Sequence, residues 1–395
     1  MKNNMILRHL LIACSIILCL ANCNNNKSYI TNTSAPLLGQ PMLHNASGIY
    51  NDTAHFLAAL PIENIELQPL TANAFYEEYK NKIDTSWENA FGANRQAIAK
   101  WRNENLDDKY CKAVFYPFSG PDILHALTFY PDANEIVMFG LEPTGGVPDI
   151  SKINKLEVKN HLDQFMMAID FALGKSFFVT LDMQKEITHS SLNGVTAIMM
   201  FFLARGGYNI VQVNEINIAP DGTAAPWSLT PIHSSVNGVE ILFTIKGSNK
   251  IKRARYFTID ISDTSPQIQT FENYMANYPP FTTIVKSASY LVWWDNFSRI
   301  RNLILDRSES ILQDDTGVPY KLLKDNQFWK LTHFGKYHAP IPVFKACNQP
   351  VLAADNYQLS KAPIPFIYGY GYGYSDITYH LVWAQRLYPG KAANK

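Results

Sequence analysis

Acidic residues set among turn formers are the strongest chemical signal in this chain. Asp122 closes the segment Tyr116-Pro117-Phe118-Ser119-Gly120-Pro121-Asp122. Glu142 stands in Gly140-Leu141-Glu142-Pro143, and Asp314 and Asp315 adjoin in Gln313-Asp314-Asp315-Thr316-Gly317. Carboxylates in such places can bind a hard cation such as Ca²⁺ or Mg²⁺, or act as general acid or base. The plainer alternative is a helix cap or an Asx turn with solvated charge. Asp122, Asp314 and Asp315 are therefore the candidate metal ligands, and with Ser119 and Glu142 they form the catalytic candidates. The 314–317 turn is no EF-hand loop, because no Glu follows at the required position.

A second kind of chemistry lies in Tyr368-Gly369-Tyr370-Gly371-Tyr372-Gly373-Tyr374. As a strand, this segment would align Tyr368, Tyr370, Tyr372 and Tyr374 on one face and bare glycine backbone on the other. A row of rings can stack on sugars or peptides, and the glycines let a partner backbone approach. The alternatives are a loop, or rings packed on the core. The glycines make no dinucleotide fingerprint, because no helix follows in register. Arg299 and Arg301 could clamp an anion, but surface pairing with acids is the favoured reading.

Other chemistries lack their signatures. Ser119 is not in a G-x-S-x-G elbow, since positions 117 and 121 are proline. There is no P-loop, no H-E-x-x-H, and no cysteine or histidine cluster with zinc spacing. The ten histidines are scattered, which favours structural roles.

The elements that must position these residues follow from periodicity. Phe75, Tyr76, Tyr79 and Ile83, then Ile98 and Trp101, recur at three- and four-residue spacing and predict a helical lead-in over 71–105. Residues 113–118 predict a strand, Pro121 a helix start, 123–129 a helix and 135–141 a second strand, together a βαβ unit. Asp122 and Glu142 then share the carboxyl edge, where α/β sheets bind ligands. Helices are predicted over 158–173, 192–204 and 297–306, with Gly206-Gly207 capping the second. Strands are predicted over 208–218 and 310–313, and over 239–245 and 256–261 as an antiparallel pair about a turn at 246–249. Beyond Pro319 the proline- and aromatic-rich chain predicts irregular packing. The expected architecture is a mixed, mostly parallel Rossmann-like α/β sheet. A helical N-terminal lead-in and an irregular aromatic-rich C-terminal part complete one domain over 52–395.

The chain has 395 residues, 47% hydrophobic and 17% charged, which is a globular composition. Lys+Arg and Asp+Glu both total 34, so no basic excess points to nucleic acid. Lys2 and Arg8 precede an apolar run over 10–21, long enough for a signal-peptide core and too short to span a bilayer. The run ends in Leu20-Ala21-Asn22-Cys23, which resembles the lipobox of bacterial lipoproteins, although Asn22 departs from its pattern. The reading is a signal peptide over 1–22 and a lipid-anchored tether over 23–51. Lipidation of Cys23, palmitate included, would hold the protein in the cell envelope. Asn24 is not the residue that retains such proteins at the inner membrane, which favours the outer membrane. Cys111 and Cys347 remain as a possible pair.

The segments YPFSGPD and GLEP together resemble the first βαβ of Rossmann-like methyltransferases, with the glycine fingerprint reduced to one Gly. The resemblance implies a fold and not a cofactor. S-adenosylmethionine and NAD are cytoplasmic, so a nucleotide cofactor is not expected, whereas a divalent metal stays possible. In the order YPFSGPD, GLEP, KSASYL and ILQDDTGVP, the chain from about Lys112 to Tyr388 resembles a group of exported bacterial proteins of uncharacterised function. That resemblance implies that Asp122, Glu142, Asp314 and Asp315 belong together. The preferred role is a binding or interaction lipoprotein for a small molecule, glycan or peptide. The alternatives are a carboxylate- or metal-dependent envelope hydrolase and a structural envelope component.

Overall fold

The computed structural model describes residues 48–107, 111–153, 156–175, 194–227, 236–360, 362–374 and 377–387. The proposed signal, Cys23 and the tether up to residue 47 lie outside the described residues.

The N-terminal third is helical because its aromatics share one face. Helix α1 (Ile49–Leu57) precedes α2 (Ala74–Trp87) and α3 (Ala93–Asn105), which are joined by a π-turn at Glu88–Gly92. Asn73 caps α2 by accepting the Tyr76 N–H at 3.0 Å. Tyr76, Tyr79, Ile83, Ile98 and Trp101 are buried, as their spacing predicts; Trp87 joins them, and Phe75 is only half-buried.

The βαβ unit is present as β1 (Ala113–Tyr116), α4 (Ile123–Phe129) and β2 (Glu135–Gly140), with β1 and β2 parallel. Next come α5 (Val158–Lys175) and α6 (Val195–Arg205), then β3 (Tyr208–Ile218), β4 (Ala224–Pro226), β5 (Val236–Ile245) and β6 (Lys252–Thr258). The chain continues through α7 (Gln267–Ala276), β7 (Phe281–Val285), α8 (Ser298–Arg307) and β8 (Ser308–Gln313). It ends with α9 (Tyr320–Lys324), β9 (Trp329–Tyr337), α10 (Pro350–Leu359) and β10 (Thr378–Arg386).

Among the described residues, ten strands form one sheet in the order β4-β3-β5-β6-β2-β1-β7-β8-β10-β9. Its faces bury different cores, because successive strand residues point to opposite sides. Val114, Tyr116, Ile136 and Met138 face the side of α1 to α6. Ala113, Phe115, Val137 and Phe139 face the side of α7 and α8. The fold is thus mixed α/β with helices on both faces of the sheet.

Three expectations are corrected. The sheet is not mostly parallel: β6-β2-β1-β7-β8 pair in parallel, but the other five of the nine pairings are antiparallel. The part beyond Pro319 is not irregular. Strands β9 and β10 pair over nine residues, and Pro350 starts α10 at a position where proline costs no hydrogen bond. The other prolines of the 338–366 stretch lie between β9 and β10, which contain none. Finally, the tyrosine-glycine row is no strand, because residues Tyr370–Tyr374 wind into a 3₁₀ turn. Cys111 and Cys347 are both free and buried. No described helix is long and apolar enough to cross a membrane.

Candidate functional site

The carboxyl ends of β1, β7 and β8 enclose a buried ionic cluster. Asp122 caps α4, with His125 N–H donating to its Oδ1 at 3.4 Å. His125 Nδ1 lies 2.7 Å from the same oxygen. The Tyr116 hydroxyl and the Lys286 ammonium each donate to Oδ2 at 2.8 Å. Burial alone would raise the carboxyl's pKa, but His125 and Lys286 outweigh it and hold the group well below its usual range. Burial pushes His125 down against the attraction of Asp122. The Tyr368 ring packs beneath Lys286, with Nζ 5.5 Å from its centroid.

The loop after β7 stores strain. Ser287, Ser289 and Tyr290 all adopt left-handed backbone, as does Phe118 after β1. Such residues cost about 1–3 kcal/mol each and persist only where neighbours fix them. Asp314 Oδ2 accepts Ser287 N–H at 2.9 Å, and Thr316 Oγ1 accepts Ala288 N–H at 2.8 Å. Tyr290 donates its hydroxyl to Asp315, and Tyr370 donates to the Ser287 carbonyl at 2.8 Å. Gly369, at φ 61°, leaves no room for a side chain: a Cβ there would lie 2.9 Å from both Asp314 Oδ2 and Ser287 Oγ. The glycine of the aromatic row therefore serves the acid pair. Burial raises the pKa of Asp314. Burial and the adjacent Asp314 charge push Asp315 up to about 7.

The structure brings Asp122, Asp314 and Asp315 around the same strand ends but gives each its own partners. Among the described residues, no three His, Cys, Asp or Glu side chains come together as ligands for a metal ion. The Ser119 hydroxyl donates to the Gly120 carbonyl at 2.9 Å, a bond of the turn itself. Glu142 belongs to a different stretch of the edge. Its Oε2 accepts the Tyr256 hydroxyl at 3.1 Å, and Gly140 makes room for it. Of the tyrosine row, Tyr368 is buried, Tyr370 is half-buried against the β7 loop and Tyr374 is exposed. The side chain of Tyr372 lies outside the described residues. Tyr368, Tyr370 and Tyr374 therefore offer no common exposed face.

Beside Glu142 the same edge opens into a cleft of 310 Å³, lined by Pro143, Gly145, Glu215, Trp227, Asn237 and Thr258 among others. Thr258 Oγ1 donates to the Glu142 carbonyl at 2.8 Å. Trp227 is 44% exposed. No hydrogen bond or ion pair engages the side chains of Glu215, Asn237 or Trp227 among the described residues.

Sequence reasoning missed Lys286, His125, Tyr116 and Tyr290, and all of the cleft except the Glu142 segment. Lys286 opens the motif Lys286-Ser287-Ala288-Ser289-Tyr290-Leu291, and a lysine directly after an apolar strand was its available signal. Trp227 and Asn237 carry no local pattern that marks them. Neither a family model nor a curated protein matches the chain.

Proposed function

We propose that the chain is a ligand-binding lipoprotein of the bacterial envelope, built on a Rossmann-like sheet and taking a small molecule in the cleft beside Glu142.

 The reading rests on one contrast: the four acids are hydrogen-bonded within the protein, whereas among the described residues nothing engages the side chains of Glu215, Asn237 and Trp227, which line an open cleft. Counted among the parallel strands alone, β6-β2-β1-β7-β8 runs third, second, first, fourth, fifth. That order supports a doubly wound, methyltransferase-type core, with antiparallel additions at both ends. In such a core the cleft lies where ligands bind, outside the carboxyl ends of strands. The buried Glu142 carboxylate is committed to Tyr256, which argues against a ribose-binding role and for a core without a nucleotide. Anchoring through Cys23 in the outer membrane rests on the sequence of residues 1–24.

A second reading, an envelope hydrolase, has one observation in its favour: Asp315 is a buried carboxyl poised near neutrality. Thermal melts of the detergent-solubilised full chain separate the two. The probes are monosaccharides, amino acids, dipeptides and the ions Ca²⁺, Mg²⁺, Mn²⁺ and Zn²⁺. A ligand at 100 times its Kd stabilises by about 2.7 kcal/mol. The binding reading expects a shift that Trp227→Ala abolishes and Asp315→Asn preserves. Turnover of a probe that Asp315→Asn abolishes would replace it with the hydrolase reading.

A further inference from the structure

We propose that the cleft beside Glu142 takes a pyranose sugar, neutral or amino-bearing, stacked on Trp227 and held through its hydroxyls by Glu215 and Asn237. This rests on the binding reading above and gives its ligand a chemical class.

The sheet lays out the polar groups in a row. Asn217 pairs with Asn237 across β3 and β5, and Asn237 pairs with Thr258 across β5 and β6. Register partners share a sheet face, and Glu215, two residues from Asn217, lies on that face too. Pro226 pairs with Ile216 on the neighbouring strand, which carries Trp227 to the rim of the same cleft. The loop from Pro143 to Gly145 forms the facing wall.

Each group narrows the ligand. An exposed indole offers a flat apolar face beside a polar N–H, which suits a ring with one C–H face and a hydroxylated edge. The Asn237 amide both donates and accepts, as hydroxyls require. Glu215 only accepts when ionised, and among the described residues it is the one charged side chain lining the cleft. It therefore welcomes hydroxyls or an ammonium group and repels phosphates and sugar acids. The volume of 310 Å³ sits at the small end of ligand pockets and limits occupancy to one or two rings.

Isothermal titration of the solubilised full chain tests this with four trisaccharides: maltotriose and the trimers of N-acetylglucosamine, glucosamine and galacturonic acid. The expected result is binding of at least one neutral or amino sugar, with the galacturonic acid trimer weakest. Trp227→Ala should weaken that binding at least tenfold, and Asn237→Ala serves as a second variant should the first fail to fold. Glu215→Gln should reduce the preference for the glucosamine trimer over its acetylated counterpart. Binding of the sugar acid as strong as the neutral sugar, binding indifferent to Trp227→Ala and Asn237→Ala, or no binding of any trimer would overturn the inference. A Trp227-dependent hit among the non-sugar probes above would then leave the binding reading standing, whereas no Trp227-dependent hit of any kind would remove both.

Discussion

One sheet edge carries two regions of opposite design. At the ends of β1, β7 and β8, charged groups are buried and each is answered by a protein partner: Asp122 by Lys286, Asp314 by Ser287, Asp315 by Tyr290. In the cleft at the ends of β3, β5 and β6, Glu215 is exposed and Asn237 half-exposed, and both face open space. The first region spends strain and desolvation on fixing a backbone. The second keeps its hydrogen-bonding capacity for something else. A carboxylate buried with its own partners needs no ligand to account for it, so acidic motifs alone do not locate a site.

Mutations sharpen this contrast. The largest effect belongs to Lys286→Ala, which leaves Asp122 buried without its charge partner. A loss of about 3–5 kcal/mol in urea unfolding is expected, and a loss under 1 kcal/mol would mean that the cluster does not hold the fold. Gly369→Ala comes next. Its φ of 61° and the 2.9 Å approach to Asp314 predict about 1–3 kcal/mol of destabilisation in the same assay.

The pH dependence tests Asp315 separately. Its folded pKa lies above that of an unfolded Asp, about 3.9, so the native state keeps a proton that the unfolded state has lost. Stability contributed by this group is therefore full below about pH 4 and declines as pH rises toward about 7. Asp315→Asn should flatten that decline in melts across this window. Asp122 has the opposite sign: its lowered pKa contributes stability above about pH 4 that is lost on acidification. The smallest effects belong to the cleft. Glu215→Gln and Trp227→Ala should change stability by no more than about 0.5 kcal/mol, as surface substitutions do, while altering ligand binding.

Much of the fold was legible because its signals are local. The tyrosine spacing in α2, the turn and cap before α4, and the hairpin of β5 and β6 each lie within a short window. The misreadings share a cause. Lys286 meets Asp122 across 164 positions, which no spacing rule reaches. Strands β9 and β10 were hidden by prolines that lie between them rather than in them. The glycines of the tyrosine row looked like an open face, yet Gly369 is needed for close approach to Asp314. Asp122 was correctly placed at the start of α4, but its ion pair depends on the neighbouring strand β7.

Amide hydrogen exchange on the full chain, with and without the tightest-binding probe, tests the central claim most directly. The account predicts protection over 143–145, 215–217 and 237–238, with 286–290 and 314–316 unchanged. Protection confined to 286–290 and 314–316 would contradict it and return the site to the acids.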